Sequence, residues 1–308
     1  MKQYGKGVTT TKKTLNIAVL GGDARQGYAA GRLRAAGCRV LCCGVPSAEP
    51  EQENWETAER ICEAARAAEV LLGPLPLTKD GVSLSGAVGG ELLIAELVEN
   101  LTPRHTLIAG TLPPEVRRAC EAKGAAAAAL TDRDDFAWLN AVPTAEGAIA
   151  EAIRQSTGTL HGSECLVLGY GRCAKVLAKK LAGMNARVTV AARGGGARCA
   201  AEADGFPAWD LPDLPDRMTQ FGYIWNTIPA PVLEEALLVQ LPEDAVVIDL
   251  ASAPGGTDFA AAARLGLRAL LLPGLPGRCA PKAAGEIVAR VCLSILREQE
   301  SGEGNQCR

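Results

Sequence analysis

A glycine-rich stretch near the middle of the chain has the residue types and spacing that bind a dinucleotide. Gly169, Gly171 and Ala174 stand at G-x-G-x-x-A spacing, after a short apolar run and before an apolar repeat of helical period. The first glycine permits a tight strand-to-helix turn, the second admits a pyrophosphate, and the alanine keeps helix and strand close. The sequence therefore predicts a pyrophosphate site at this helix N-terminus. A plain structural turn is the alternative, but a second apolar run at 187–192 follows at the expected distance.

The residue after that second run bears on which nicotinamide cofactor is used. An NAD enzyme usually carries Asp or Glu there, whereas this chain has Arg193, followed by three glycines and Arg198. An arginine with flexible amides behind it suits a 2′-phosphate, which favours NADP. A solvated arginine in a glycine loop is the alternative, and it leaves NAD open. The other predicted cofactor contacts lie at the turn and at strand ends: Tyr170, Arg172, Ala192, Asn226, Thr227, Pro229 and Asp249.

Two cations are placed where an anionic substrate could bind. Arg25 lies in the first turn of a predicted helix and could hold a carboxylate through two parallel hydrogen bonds. A surface arginine beside an ordinary N-cap, Asp23, fits the same spacing. Lys282 starts the last helix, where the helix dipole disfavours a cation, so an anionic ligand or a role as a base is the hypothesis.

Further predicted substrate contacts follow from the rule that ligands bind beyond the carboxyl ends of parallel strands. They come from strand ends and from a helix expected to cross between domains: Gly22, Gln26, Thr144, Ser252 and Gly256. For Thr144, with Glu146 after it, the spacing alone favours an N-cap followed by an acid in the first turn.

Alternating strands and helices must position these residues. The pattern predicts strands at 15–20, 38–43, 70–72, 106–109 and 125–130, and six more after residue 163. It also predicts helices at 51–68, 132–140 and from Pro143 to Ile153. The predicted fold is α/β, with two doubly wound Rossmann-like domains, a cleft between them and crossing helices. The predicted domains are 1–142 with the C-terminal helix 279–308, on the substrate side, and 143–278, which binds NADP.

Composition narrows the class of protein. The 308 residues carry a net charge of −3 and no stripe of basic residues with interleaved aromatics, which argues against nucleic acid. No apolar run approaches the ~20 residues of a membrane helix, and the first fourteen residues lack the apolar region of a secretory signal. A soluble cytoplasmic protein is expected. Two histidines, and eleven cysteines without a C-x-x-C pair, argue against a metal site and for free buried thiols.

Several segments resemble the dipicolinate synthase A-chain family. They include IAVLGGDARQ at 17–26, NAVPTAEGAI at 140–149, HGS at 161–163 before the glycine turn, and NTIPA at 226–230. IDLASAPGGTDF at 248–259 and LPGLPGRCAPK at 272–282 complete the set, so the resemblance extends from about residue 15 to about residue 296. Ala253, Ala283 and the three glycines after Arg193 depart from the family pattern.

The resemblance implies NADP-dependent oxidation of dihydrodipicolinate to dipicolinate in the mother cell of a sporulating bacterium, together with the flavoprotein-like B chain of dipicolinate synthase. The candidates for the base are Lys282, Glu146 and Asp23, with solvent as the alternative. Two other functions stay open: a related NADP-dependent dehydrogenase of another small carboxylate, and a nucleotide-binding scaffold whose partner chain carries catalysis. A homo-oligomer is also left open.

Overall fold

The computed structural model describes residues 14–48 and 55–302. These residues form two compact units. The first unit reaches Asp132 and resumes at Val288, and the second runs from Arg133 to Ile287. The units thus divide at 132/133 and 287/288, where the sequence suggested 142/143 and 278/279. Residues 303–308 of the predicted C-terminal helix lie outside the described residues.

The first unit contains a parallel sheet whose central strands are short apolar runs buried on both faces. Its strands are β1 (Asn16–Leu20), β2 (Arg39–Cys43), β3 (Thr57–Ala58), β4 (Val70–Leu72), β5 (Thr106–Ala109) and β6 (Ala126–Ala129). They are ordered β3-β2-β1-β4-β5-β6. This is the doubly wound order: strands are added outward from β1 on one side and then from β4 on the other, so the switch point lies between β1 and β4. Its helices up to Asp132 are α1 (Ala24–Ala35), α2 (Ile61–Ala67), α3 (Ile94–Glu99) and α4 (Pro114–Lys123).

Two predictions for the first unit had different outcomes. The alanine run was predicted as a strand despite its poor strand propensity, and the structure confirms it, because β6 pairs in parallel with β5. The helix predicted over 51–68 is confirmed only from Ile61 to Ala67, and the described residues before Ile61 are not helical. Thr57 and Ala58 instead pair with Cys42 and Cys43 as an edge strand, and α2 begins only at Ile61. A two-residue edge strand is decided by its partner rather than by its own propensity. Residues 51–54 lie outside the described part of the chain.

The second unit repeats the same topology. Its strands are β7 (Glu164–Leu168), β8 (Arg187–Ala191), β9 (Ala208–Trp209), β10 (Tyr223–Asn226), β11 (Val246–Asp249) and β12 (Arg268–Leu271). They are all parallel and ordered β12-β11-β10-β7-β8-β9, with apolar clusters on both faces. The α/β fold of two doubly wound, Rossmann-like sheets is therefore confirmed.

The helices from Asp134 onward follow in chain order. They are α5 (Asp134–Gln155), α6 (Arg172–Gly183), α7 (Gly195–Ala203), α8 (Glu235–Leu238), α9 (Phe259–Arg264), α10 (Leu275–Cys279) and α11 (Pro281–Ser301). The chain passes from the second unit back into the first within α11. None of the helices in the described part of the chain is long and apolar enough to cross a bilayer.

The break predicted between two helices near Pro143 is wrong, because α5 runs through the proline without interruption. Proline removes one backbone donor from a helix. Next to it, the hydroxyl of Thr144 donates to the carbonyl of Asn140 at 2.7 Å. Ala145 and Ala148 beyond the proline are fully buried, so tertiary packing outweighs the local cost of the proline.

Candidate functional site

The turn between β7 and α6 has the geometry that the G-x-G-x-x-A spacing predicts. Gly169 has φ +90°, and a Cβ built on it would lie 2.6 Å from Oγ1 of Thr227, so only glycine fits. Gly171 is the exposed N-cap of α6, and a Cβ there would point into open space. Ala174 is fully buried against the sheet. The turn therefore leaves room for a ligand in front of the helix.

The N-terminus of α6 is open to an anion. No side chain caps it, and its first turn holds no acidic residue. The first amides of a helix lack partners within the helix, and the helix dipole makes this end attractive to phosphate. These residues fit the pyrophosphate of a dinucleotide.

The side chains of the two other predicted contacts in this turn are engaged elsewhere. Tyr170 is buried, and its hydroxyl donates to Oδ2 of Asp204 at 2.8 Å. Burial, together with that hydrogen bond, raises the pKa of Tyr170. Arg172 forms an ion pair with Asp134 at the start of α5. Tyr170 therefore has only its backbone to offer a ligand at this turn.

The loop after β8 contains two arginines with different surroundings. Arg198 donates from Nη1 to the carbonyls of Ala192 and Arg193, at 2.8 Å each, and lies 3.0 Å from Oδ1 of Asp210. Arg193 is exposed, and its guanidinium makes no hydrogen bond or ion pair with the described residues. Arg198 thus fixes the backbone of the loop, while the charge of Arg193 stays available. Sequence reasoning missed the role of Arg198, since nothing in its spacing separates it from a solvated arginine.

A buried carboxylate organises the loops that follow β10 and β11. Asp249 is fully buried and accepts hydrogen bonds from Nδ2 of Asn226 (3.0 Å), from Oγ1 of Thr257 (2.7 Å) and from the backbone amides of Ala251 and Gly256 (2.9 Å each). Four donors satisfy one carboxylate, which accounts for its burial. Asp249 therefore holds the two loops together.

The amide of Asn226 is also fully used inside the protein. Its Oδ1 accepts from the amide of Ile228 at 3.0 Å, and its Nδ2 donates to the carbonyl of the same residue at 3.1 Å as well as to Asp249. Thr227 donates from Oγ1 to the carbonyl of Leu168 at 2.7 Å, which ties the loop to the end of β7. Asn226 and Asp249 thus shape the loop that presents Thr227 and the exposed Pro229.

Gly256 and Thr257 complete this network. A Cβ built on Gly256 would lie 2.6 Å from Nδ2 of Asn226 and 2.5 Å from the carbonyl of Ala230, so the glycine is needed for close approach. Thr257 is buried and had not been singled out, although it lies in the PGGTDF segment. Its signal was available: a hydroxyl directly after a glycine pair that follows an acidic strand end. Ser252, also a predicted contact, is exposed on the same loop.

In the first unit the GGDARQ segment forms a compact polar cluster at the N-terminus of α1. Asp23 is the N-cap, and its amide donates to Oε1 of Gln26 at 3.3 Å. Arg25 is 8% exposed and contacts both carboxylate oxygens of Asp23, with Nη2 at 2.7 Å from Oδ2. Burial raises the pKa of the Asp23 carboxyl, but the hydrogen bonds and charge of Arg25 outweigh burial and lower the pKa. Asp23 is therefore the N-cap, but Arg25 is buried and is not the surface arginine of the alternative interpretation; its role in binding a substrate carboxylate stays a prediction.

Residues of the segment after β4 lie on that cluster. The amide of Gly22 donates to the carbonyl of Ser85 at 2.7 Å, and Nη2 of Arg25 donates to the carbonyl of Leu75 at 3.1 Å. The structure thus brings together Gly22, Asp23, Arg25 and Gln26, with part of their donor capacity already used by the chain itself.

The residues predicted on α5 are engaged in helix packing. Glu146 pairs with Nζ of Lys180 at 2.8 Å. Lys180 lies eight residues after the start of α6, about 12 Å along the helix. A Cβ on Gly147 would lie 2.9 Å from Sγ of Cys279, so the PTAEGA segment makes room for α10. Lys282 is exposed at the second position of α11.

No group of three or more His, Cys, Asp or Glu side chains suited to a metal ion occurs within residues 14–48 and 55–302. The ten cysteines that the structure describes are free, and five of them are buried.

The chain is similar to known proteins over nearly its whole length. A family model described as the N-terminal domain of the dipicolinate synthase A chain matches residues 16–131. The dipicolinate synthase A chain of Bacillus subtilis (strain 168) is 31% identical over 296 residues, which cover 94% of this chain and 98% of that protein. The crystal structure of the dipicolinate synthase A chain from Bacillus subtilis superposes with a TM-score of 0.84 at 29% identity, covering 94% of this chain and 98% of that one.

A more distant likeness concerns the fold alone. An L-alanine dehydrogenase structure superposes with a TM-score of 0.61 at 13% identity, over 92% of this chain and 90% of that one. The doubly wound architecture of this chain therefore recurs in a dehydrogenase.

Proposed function

Because the chain belongs to the dipicolinate synthase A-chain family, we propose that it oxidises dihydrodipicolinate to dipicolinate with NADP⁺. The observation that carries the proposal is the uncapped N-terminus of α6 behind Gly169 and Gly171. The chain resembles that family over almost its full length, and an uncapped helix N-terminus after a glycine turn is suited to the pyrophosphate of a dinucleotide.

The second unit supplies the residues that would hold the cofactor. The backbone amides at Gly171 and Arg172 are suited to the pyrophosphate, and the guanidinium of Arg193 to a 2′-phosphate. Asn226 and Asp249 act by holding the loop that carries Thr227 and Pro229 in place. A nicotinamide dinucleotide, when bound, supplies the hydride acceptor of the reaction.

The proposed substrate contacts in the first unit are the groups around α1. A substrate with two carboxylates needs cationic and amide donors. Gly22, Arg25 and Gln26 carry such donors within five consecutive residues at the start of α1. Thr144, Ser252, Gly256 and Lys282 remain predicted contacts from the second unit. Removal of one hydride and one proton makes the ring aromatic, so the protein mainly has to orient the substrate.

The proton acceptor is proposed from the candidates Lys282, Glu146 and Asp23, with water as the alternative. A general base works best with a pKa near the working pH. The lowered pKa of Asp23 suits it better to orienting Arg25 than to accepting a proton at neutral pH. Glu146 pairs with Lys180, two turns along α6 from the glycine turn, which favours a positioning role.

Membership of the family also suggests a cellular location and a partner protein. We propose that it acts in the cytoplasm of the mother cell during sporulation, and that its partner there is the flavoprotein-like B chain.

The direct test is turnover by the isolated full chain. Freshly prepared dihydrodipicolinate is mixed with NADP⁺ or NAD⁺, and absorbance at 340 nm is followed with and without the flavoprotein-like partner. Reduction by the chain alone, faster with NADP⁺, is the expected result. Reduction only after the partner is added would favour a scaffold role, and none in either mixture would contradict this substrate.

Arg25→Ala tests the substrate side of the proposal. Loss of a charged hydrogen-bond donor should raise the KM for dihydrodipicolinate about tenfold or more, and the KM for the cofactor far less. Steady-state kinetics with each reactant varied in turn gives both values. Equal changes in the two KM values would contradict a carboxylate-binding role for Arg25.

A further inference from the structure

Two buried polar atoms in the first unit have no hydrogen-bond partner, and they flank the same glycine. Within the described residues three buried side-chain polar atoms are unpaired: Nε2 of Gln26, Oγ of Ser85 and Nε1 of Trp225. Trp225 lies in the core of the second unit. The other two lie beside Gly22, in the cluster at the N-terminus of α1. Buried polar atoms in native proteins are nearly always paired, so two unpaired atoms at one place need an explanation.

Both residues that carry these atoms contact Gly22. The amide of Gly22 donates to the carbonyl of Ser85 at 2.7 Å. A Cβ built on Gly22 would lie 2.4 Å from Cδ of Gln26, so the Gln26 side chain packs directly over the glycine. Gln26 is fully buried, and its Oε1 already accepts from the amide of Asp23. Its Nε2 is therefore a fixed donor without an acceptor.

We propose that Ser85 and Gln26 form a subsite for one carboxylate of the dicarboxylic substrate, with Ser85 as a binding residue outside the GGDARQ motif. This inference rests on the proposed function. Nε2 of Gln26 and the hydroxyl of Ser85 each donate to a carboxylate oxygen. The ligand is an anion, because both atoms are donors at the N-terminus of α1; the guanidinium of Arg25, which lies there too, is shared with the Asp23 carboxylate.

Three residues between β4 and α3 lie over this subsite: Leu75 contacts Arg25, and Ser85 and Gly86 contact Gly22. Both unpaired atoms are shielded from solvent. A ligand reaches them when these residues move away from Gly22 and Arg25, which breaks the bonds from Gly22 to the Ser85 carbonyl and from Arg25 to the Leu75 carbonyl. The same movement releases the Gly22 amide and one guanidinium N–H as additional donors to the carboxylate.

Ser85→Ala is the test, with Ser83→Ala as a matched control. Ser83 also lies between β4 and α3, but its hydroxyl donates to Oε1 of Glu91 at 2.8 Å, so it is already paired. Binding of pyridine-2,6-dicarboxylate and of pyridine-2-carboxylate to the full chain is measured by calorimetry. Ser85→Ala should weaken binding of the diacid about fivefold to twentyfold and reduce the preference for the diacid over the monoacid. Ser83→Ala should leave both unchanged.

The thermal midpoint of the ligand-free variants separates binding from structure. Removing an unpaired buried hydroxyl should leave the midpoint of Ser85→Ala at or above the wild-type value. Gln26→Glu keeps the acceptor for the Asp23 amide but replaces the donor by an acceptor, so it should weaken diacid binding at least as much. Wild-type affinity for the diacid in Ser85→Ala, or equal losses in the two serine variants, would overturn the subsite.

The two proposals can fail separately. If the wild-type chain, with or without its flavoprotein-like partner, does not oxidise dihydrodipicolinate but binds the diacid in a Ser85-dependent manner, only the proposed reaction is overturned. If it does oxidise dihydrodipicolinate, with a KM that Ser85→Ala leaves unchanged, only the subsite is overturned.

Discussion

The two units place a glycine turn at the same point of the same topology and use it differently. In each, a helix begins four residues after the end of the first strand, at Ala24 after Leu20 and at Arg172 after Leu168. In the first unit the N-cap is Asp23, and the amide of Gly22 is bonded to Ser85. In the second unit the N-cap is Gly171, without a side-chain cap. One turn is filled by its own chain, and the other leaves its helix amides for a ligand.

The residues at the ends of two further strands in each sheet also differ between the units. Counted along the chain within each unit, the fourth and fifth strands end in Leu72 and Ala109 in the first sheet, and in Asn226 and Asp249 in the second. An apolar strand end needs no partners, whereas the buried polar pair fixes two loops around the open turn. Two units of one topology thus differ at the glycine turn, and the unit whose turn is open also has a buried polar pair that fixes the loops after its strands.

The largest expected effect comes from making the second sheet resemble the first at its fifth strand. Asp249→Ala leaves the donors of Asn226, Thr257 and Gly256 unpaired in a buried place, so the free energy of unfolding should fall by about 3 kcal/mol. Denaturant unfolding followed by circular dichroism measures it. Asp249→Asn, which keeps an acceptor, should lose less. A loss below about 1 kcal/mol in Asp249→Ala would show that the network is dispensable.

Gly171→Asp gives the second turn the same N-cap residue as the first. A carboxylate in front of α6 should repel the pyrophosphate and raise the Kd of NADP about a hundredfold, because like charges at close range cost several kcal/mol. The thermal midpoint should not fall, since Asp is a good N-cap. Gly183→Asp is the control, because Gly183 also has open space around its Cβ position but ends the helix. Unchanged cofactor affinity would remove the turn from the site.

Arg193→Asp tests whether the loop after β8, next to the open turn, binds the 2′-phosphate that distinguishes NADP from NAD. Loss of the cation and gain of an acid should shift the ratio of NADP to NAD affinity about tenfold or more toward NAD. Fluorescence titration with each reduced cofactor gives the ratio. Arg268→Asp, at the start of β12, should leave the ratio unchanged. An unaltered ratio in Arg193→Asp would end the assignment of Arg193 to the 2′-phosphate.

The smallest effect concerns the filled turn and its dependence on pH. The pKa of Asp23 is lowered in the folded protein, so its contribution to stability is present above its unfolded pKa and disappears as the pH falls through the folded value. Because the carboxylate is 47% exposed, the contribution should stay below about 1 kcal/mol. Asp23→Asn should remove this acid-side decline, as measured by thermal midpoints from about pH 6 down to about pH 2. An identical decline in the variant would contradict the assignment.

The sequence was sufficient where the deciding contacts are local. The turn at Gly169 and Gly171 follows from residues within six positions of one another, and so do the strands that flank it. The apolar runs likewise predicted both sheets, apart from the edge strand β3, whose two residues are selected by pairing with β2.

The arrangement of the site depended on contacts that spacing does not encode. The strand ends predicted that Asn226 and Asp249 lie at one edge, but not that they bond each other across 23 residues. The filling of the first turn by Ser85 depends on a segment more than sixty residues away. Pro143 predicted a break in α5 because proline is unfavourable in isolation, and the packing of the helix reversed that local preference.

Arg198 donates a hydrogen bond to the backbone carbonyl of Arg193. The backbone conformation of this loop therefore does not depend on the side chain at position 193. A codon change at position 193 can alter the charge offered to a ligand while the backbone keeps its course. Under the proposed role of Arg193, single substitutions at this position would change the cofactor preference without a compensating change in the loop backbone.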